Sequence, residues 1–114
     1  MHDRSVLDAE VVSELQDVMG QDFQMLVESF QRDGEKRLAA MFTALEEEDK
    51  EALRSQAHSF KGSSSNLGAI GVADVCMALE TRVSNDDLAS LRPLIESLKW
   101  QFQQACTALH GCRA

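Results

Sequence analysis

The sequence predicts an all-α fold: an antiparallel up-down-up-down four-helix bundle with a short additional N-terminal helix covering one end. Three observations predict it. Ala, Leu, Glu, Gln and Met are abundant while β-branched runs are nearly absent, a composition that favours helices. Four segments each carry a single apolar stripe at helical spacing. The connections between them are short, and short connections make sequential helices antiparallel neighbours.

The first helix runs from about Asp8 to Met19, with Val11, Leu15 and Val18 or Met19 on one face and Gly20 as its stop. Its length suits a lid over one end of the bundle. Asp22 is placed to cap the second helix, about Phe23 to Glu47. That helix carries Phe23, Leu26, Val27, Phe30, Leu38, Met41, Phe42 and Leu45 at i, i+3, i+4 spacing. Gly34 interrupts it and marks either a close helix contact or a weak point. Asp49 caps the third helix and Gly68 ends it, with Leu53, Gln56, Ala57, Phe60, Ser64 and Leu67 on the inner face. The fourth, about Ala69 to Val83, carries Ile70, Ala73, Val75, Cys76 and Leu79. Ser84-Asn85-Asp86-Asp87 is a polar loop. The fifth runs from about Ser90 to Leu109, a start that leaves Pro93 in the first turn, where proline is tolerated. Leu91, Ile95, Leu98, Phe102, Ala105 and Leu109 form its seam.

At 114 residues the chain is expected to be one domain, residues 1–114. With 44% hydrophobic residues it can bury a core, and a single proline with six glycines argues against disorder. The formal charge of −8 argues against nucleic acid as a partner, since nucleic-acid binders carry a cationic footprint. No apolar run is long enough to span a membrane. Met1-His2-Asp3-Arg4-Ser5 lacks the basic start and apolar run of a signal peptide. Cys76, Cys106 and Cys112 are odd in number and follow no tight pattern, which reads as reduced thiols in a cytoplasmic protein.

The third helix holds a local exception to the helix rules. Within Ala57-His58-Ser59-Phe60-Lys61-Gly62-Ser63-Ser64-Ser65-Asn66-Leu67-Gly68, a glycine, four serines and an asparagine crowd one segment. At about 100° per residue, Lys61 lies roughly 60° from His58 and Gly62 roughly 40° away on the other side. Arg54 and Ser65 fall on the same face, whereas Leu53, Phe60 and Leu67 point nearly opposite. An imidazole that projects into solvent from a rigid helix is an available nucleophile near neutral pH. Lys61 is placed to balance the charge of a phosphoryl group, and Gly62 removes a side chain where a partner must come close. An exposed helical glycine costs about 1 kcal/mol against alanine, which favours a reason for keeping it. Glu80, on the antiparallel fourth helix, is a candidate acceptor for the other ring N–H. The acidic run Glu46-Glu47-Glu48-Asp49 with Glu51 lies away from this face, leaving the surroundings of His58 locally basic.

The run His58-x-x-Lys61-Gly62-Ser63-Ser64, with Gly68 closing the helix, resembles the signature of the histidine-containing phosphotransfer (HPt) family of bacterial two-component phosphorelays. Leu79-Glu80-Thr81-Arg82 also resembles the family's following helix, and the likeness extends over nearly the whole chain. The resemblance implies that His58 accepts a phosphoryl group from the aspartyl phosphate of the receiver domain of a hybrid sensor histidine kinase and passes it to the aspartate of a response regulator. It implies Lys61 as phosphate stabiliser, Gly62 as the close-approach site, and Ser63 and Ser64 as small packing positions; Arg54 and Ser65, which share the His58 face, are read as receiver-docking residues beside Gly62. Glu80 matches a position that orients the histidine in some members. The chain carries neither a kinase ATP-binding region nor a receiver aspartate cluster, so a free-standing phosphocarrier is expected rather than an autonomous enzyme, and the resemblance implies a monomer. No cofactor is expected on this chain; the divalent metal belongs to the receiver domain.

Other readings are weaker. Cys106, His110 and Cys112 suggest a metal site, but no fourth ligand is evident. The bundle lacks the Glu-x-x-His pairs of a di-iron site, and Phe60-Lys61-Gly62-Ser63 lacks the upstream glycine and strand of a phosphate-binding loop. The main alternative is a helical adaptor that binds a receiver or another signalling protein without being phosphorylated. An adaptor does not need a nucleophile beside Lys61 and Gly62.

Overall fold

The computed structural model describes residues 6–112. The five residues whose composition bears on a signal peptide lie outside that range. Five α-helices follow one another: α1 (Ala9–Met19), α2 (Phe23–Glu46), α3 (Lys50–Leu67), α4 (Ile70–Arg82) and α5 (Arg92–Gly111). No strand occurs among the described residues. The last four form the bundle, each packed against the next in order, with α2 against α5 closing the ring. The short α1 lies against α2 and α3 at one end.

Each boundary has a local cause. The Asp8 carboxylate accepts from the N–H groups of Glu10 and Val11 and starts α1. Asp49, in extended conformation, accepts from Ala52 N at 3.0 Å and starts α3. Gly68 ends α3 in the left-handed region at φ 82°, returning its N–H to the carbonyls of Ser64 and Ser65. Its own carbonyl accepts from Asp8 N at 2.8 Å, and a side chain there would crowd Val11 and Val12. The α3–α4 corner is thereby the seat of α1.

Three sequence expectations need correction. Asp22 does not cap α2 with its side chain. The chain passes from α1 into α2 through a single 3₁₀ turn, Gly20–Asp22, which leaves Asp22 in helical rather than extended conformation. The fifth helix begins at Arg92, not Ser90, behind a 3₁₀ turn at Leu88–Leu91. Pro93 gives no N–H to the preceding turn and its ring crowds the carbonyl one turn back, while a 3₁₀ turn sets Leu88 and Leu91 on one buried side. In α1 the buried residue is Val12, flanked by Leu15 and Met19, whereas Val18 is 84% exposed. On α4, Gly71 and Val72 are buried beside the expected Ala73, Cys76 and Leu79.

Phe30, Phe60 and Phe102, from α2, α3 and α5, meet at the centre with ring centroids 5.4–6.3 Å apart. All three rings pack tilted or edge-on, the arrangement their quadrupoles favour. Gly34 is the close contact rather than the weak point: a Cβ there would lie 2.2 Å from a ring carbon of Phe102. Phe102 packs against the other two rings, so admitting a side chain at Gly34 displaces a ring of that cluster. Gly34→Ala is therefore expected to destabilise the bundle by about 1–3 kcal/mol despite alanine's better helix propensity. Thermal or denaturant unfolding measures this.

Candidate functional site

The apolar side of α3 is buried at Leu53, Ala57, Phe60, Ser64 and Leu67. Burial of that side sends the opposite face outward. His58 stands there, mid-helix, with 67% of its side chain exposed.

The corner at Gly68 folds α4 back along α3, and His58 and Glu80 sit eleven residues either side of Ala69. That register brings them together. Glu80 Oε2 lies 2.6 Å from His58 Nδ1, and Glu80 Oε1 lies 2.8 Å from Lys61 Nζ. One carboxylate thus bridges the imidazole and the ammonium. Lys61 lowers the pKa of the Glu80 carboxyl below its ordinary value; partial desolvation opposes this and the imidazole adds to it. An ionised carboxylate only accepts hydrogen bonds. The neutral ring therefore carries its proton on Nδ1, and the lone pair is on Nε2. Nε2 has no hydrogen-bond partner among the described residues.

The other expected residues divide. Gly62 is exposed, and a Cβ added to it would meet nothing within 4 Å. Packing therefore gives no reason for this glycine, in contrast to Gly34. Ser65 is exposed on the same face. Ser64 is fully buried, and Ser63 is half-buried with its hydroxyl donating to the Phe60 carbonyl at 3.2 Å. Arg54 reaches back one turn to Glu51 at 2.6 Å, and that bond, with a smaller contribution from Glu80, raises the guanidinium's pKa.

The expectation of a locally basic face is therefore corrected. Lys61 and Arg54 are both paired with carboxylates, which leaves little uncompensated positive charge beside the ring. The Glu51–Arg54 spacing of i, i+3 carried that signal in the sequence. The Lys61–Glu80 pair carried none, because it depends on the register between two helices.

A groove between α1, α2 and the C-terminal half of α3 adjoins the site. Leu15, Leu26, Phe30 and Leu67 line its floor, with Ser29, Asp33, Ser63 and Asn66 at its sides. Val18 and Met25 are exposed on the same two N-terminal helices.

A model of the Hpt domain matches residues 25–111. The chain belongs to the Hpt domain family. It is similar to the crystal structure of histidine-containing phosphotransfer protein B from Pseudomonas aeruginosa, with 35% identity over 96% of this chain and 95% of that one, and a TM-score of 0.85. It is also similar to a histidine-containing phosphotransfer protein from Medicago truncatula, with 26% identity over 93% of this chain and 78% of that one, and a TM-score of 0.80. No curated protein sequence matches the chain. Membership supports a histidine-phosphotransfer role in a phosphorelay, the role of a phosphocarrier rather than a kinase. Hpt proteins interact with receiver domains and response regulators. Among the described residues no helix is long and apolar enough to cross a membrane.

The cysteines lie elsewhere. His110 Nε2 is 2.7 Å from Gln31 Oε1, and Cys112 Sγ donates to the Ala108 carbonyl at 3.2 Å. No group of three His, Cys, Asp or Glu side chains able to hold a metal occurs among the described residues. Burial raises the Cys76 thiol to about 12 and the Cys106 thiol to about 11. Thiolate is the reactive form. Brief iodoacetamide treatment of the native protein is expected to modify Cys112 first and to spare Cys76 and Cys106, as read by peptide mass spectrometry.

Proposed function

We propose that His58 accepts a phosphoryl group on Nε2 from the aspartyl phosphate of a receiver domain and hands it to the aspartate of a response regulator. The observation that carries this reading is the division of the ring: Nδ1 is engaged by Glu80, while Nε2 faces solvent unpartnered. In the transfer, the Nε2 lone pair attacks phosphorus, the P–O bond to the aspartate breaks, and the carboxylate leaves with the bonding pair. The Nδ1 proton stays where it is. The reverse sequence delivers the group to a second aspartate.

Other residues support the step. Lys61 neutralises phosphoryl charge once it turns from Glu80 toward the new group. Gly62 lets a receiver approach the ring, and Ser65 and Arg54 lie at the rim of that approach. Ser63 and Ser64 keep α3 close to its neighbours. The groove beside α1 and α2, with Val18 and Met25, supplies the apolar docking contact. This chain brings no cofactor; the receiver supplies the divalent metal. An adaptor that only bound a receiver would not need an open Nε2.

Incubation with a phosphorylated receiver domain tests the reading. Acid-labile, alkali-stable label is expected on the protein and is expected to vanish in His58→Gln. Full transfer to that variant would reject His58 as acceptor. Gly62→Gln is expected to slow transfer by about tenfold or more, because a displaced approach misaligns the reacting atoms. The fold should persist, since nothing lies within 4 Å of a Cβ at that position.

A further inference from the structure

Glu80 makes two contacts at once, and they bear differently on the free and the phosphorylated ring. Its Oε2 holds the His58 Nδ1 proton and its Oε1 holds the Lys61 ammonium, at 2.6 and 2.8 Å. A phosphoryl group on Nε2 leaves Nδ1 and its proton in place. The phosphorylated ring then carries a positive charge. When the N–P bond breaks, the bonding pair returns to Nε2 and the ring departs as neutral imidazole. A ring that has lost the Nδ1 proton must instead depart as an anion, which is a far poorer leaving group. A carboxylate against Nδ1 retains the proton that makes departure easy.

The second contact acts in the same direction. Lys61 stabilises a phosphoryl dianion only to the extent that it is free to turn toward it. Here it is bound to a carboxylate that is itself held in the ionised form. A phosphoryl group must compete with Glu80 for Lys61, and it also stands near a second negative charge. Both effects raise the free energy of the phosphorylated protein relative to the resting one.

We infer that Glu80 is a positioning residue that keeps phospho-His58 labile, biasing this protein toward passing phosphoryl groups on rather than storing them. The inference rests on the proposed role of His58 and adds a direction to it.

Glu80→Gln is the informative variant. Its amide oxygen can still accept from Nδ1–H, so the ring remains oriented, but the negative charge is gone. The wild-type protein, Glu80→Gln, Lys61→Met and the double variant are each phosphorylated with phosphoramidate. In that reaction Nε2 displaces ammonia from phosphorus. Hydrolysis of the phosphohistidine is then followed, together with the transfer equilibrium against a receiver domain carrying its divalent metal. In Glu80→Gln, hydrolysis is expected to slow by about fivefold, the difference between a charge-assisted and a neutral hold on the Nδ1 proton, and the equilibrium is expected to shift toward the phosphorylated histidine because Lys61 is released to the phosphoryl group and a negative charge beside it is gone. Removing Lys61 as well is expected to reverse part of that gain.

Unchanged hydrolysis and equilibrium in Glu80→Gln, with His58 phosphorylated normally, would overturn the inference and leave the acceptor assignment standing. Faster hydrolysis in Glu80→Gln would also overturn it, showing that the carboxylate protects the phosphoryl group. Absence of phosphorylation on His58 in the wild type would overturn both.

Discussion

The structure depends on the burial of one side of α3. Leu53, Phe60 and Leu67 are each no more than 3% exposed, and Phe60 lies against Phe30 and Phe102. Truncating a buried phenylalanine of this kind costs about 3–5 kcal/mol. A partly exposed hydrogen bond such as His58–Glu80 contributes about 1–3 kcal/mol. The core therefore decides which way α3 faces, and the polar bridge only adjusts a ring already turned outward. Phe60 and His58 are two residues apart on nearly opposite sides of the helix, so fixing one ring fixes where the other emerges.

The same constraint explains the contrast among the glycines. Gly34 is dictated from within: Phe102 occupies the space a side chain would need. Gly62 meets no such demand, since nothing in the fold comes near a Cβ there. A residue that weakens a helix without serving its packing points to a requirement outside the molecule. Under the proposed function, the approach of a receiver domain to His58 is such a requirement.

The electrostatics around His58 are more self-contained than the residue types suggest. Lys61, Glu80 and His58 form one linked group, and Arg54 is tied to Glu51. Under the proposed function, a partner on this face would meet little free positive charge, which leaves shape and apolar contact to carry recognition. The groove between α1, α2 and the C-terminal half of α3, with Leu15, Leu26, Phe30 and Leu67 in its lining, is apolar enough for such contact.

The helices, the inner face of α3 and the exposure of His58 were legible in the sequence, because they follow from a periodicity local to each segment. The sequence also carried the stops at Gly20 and Gly68 and the cap at Asp49, where one residue's conformation or side chain suffices. The 3₁₀ turns before α2 and α5, and Val12 rather than Val11 as the buried residue of α1, were decided by how consecutive helices meet. Glu80 was nameable from its place on the next helix, but its simultaneous hold on His58 and Lys61 was not. That bridge depends on the depth at which α4 lies beside α3, which Gly68 and the packing around Phe60 settle together. Sequence periodicity places residues on faces; only tertiary packing sets the distances between them.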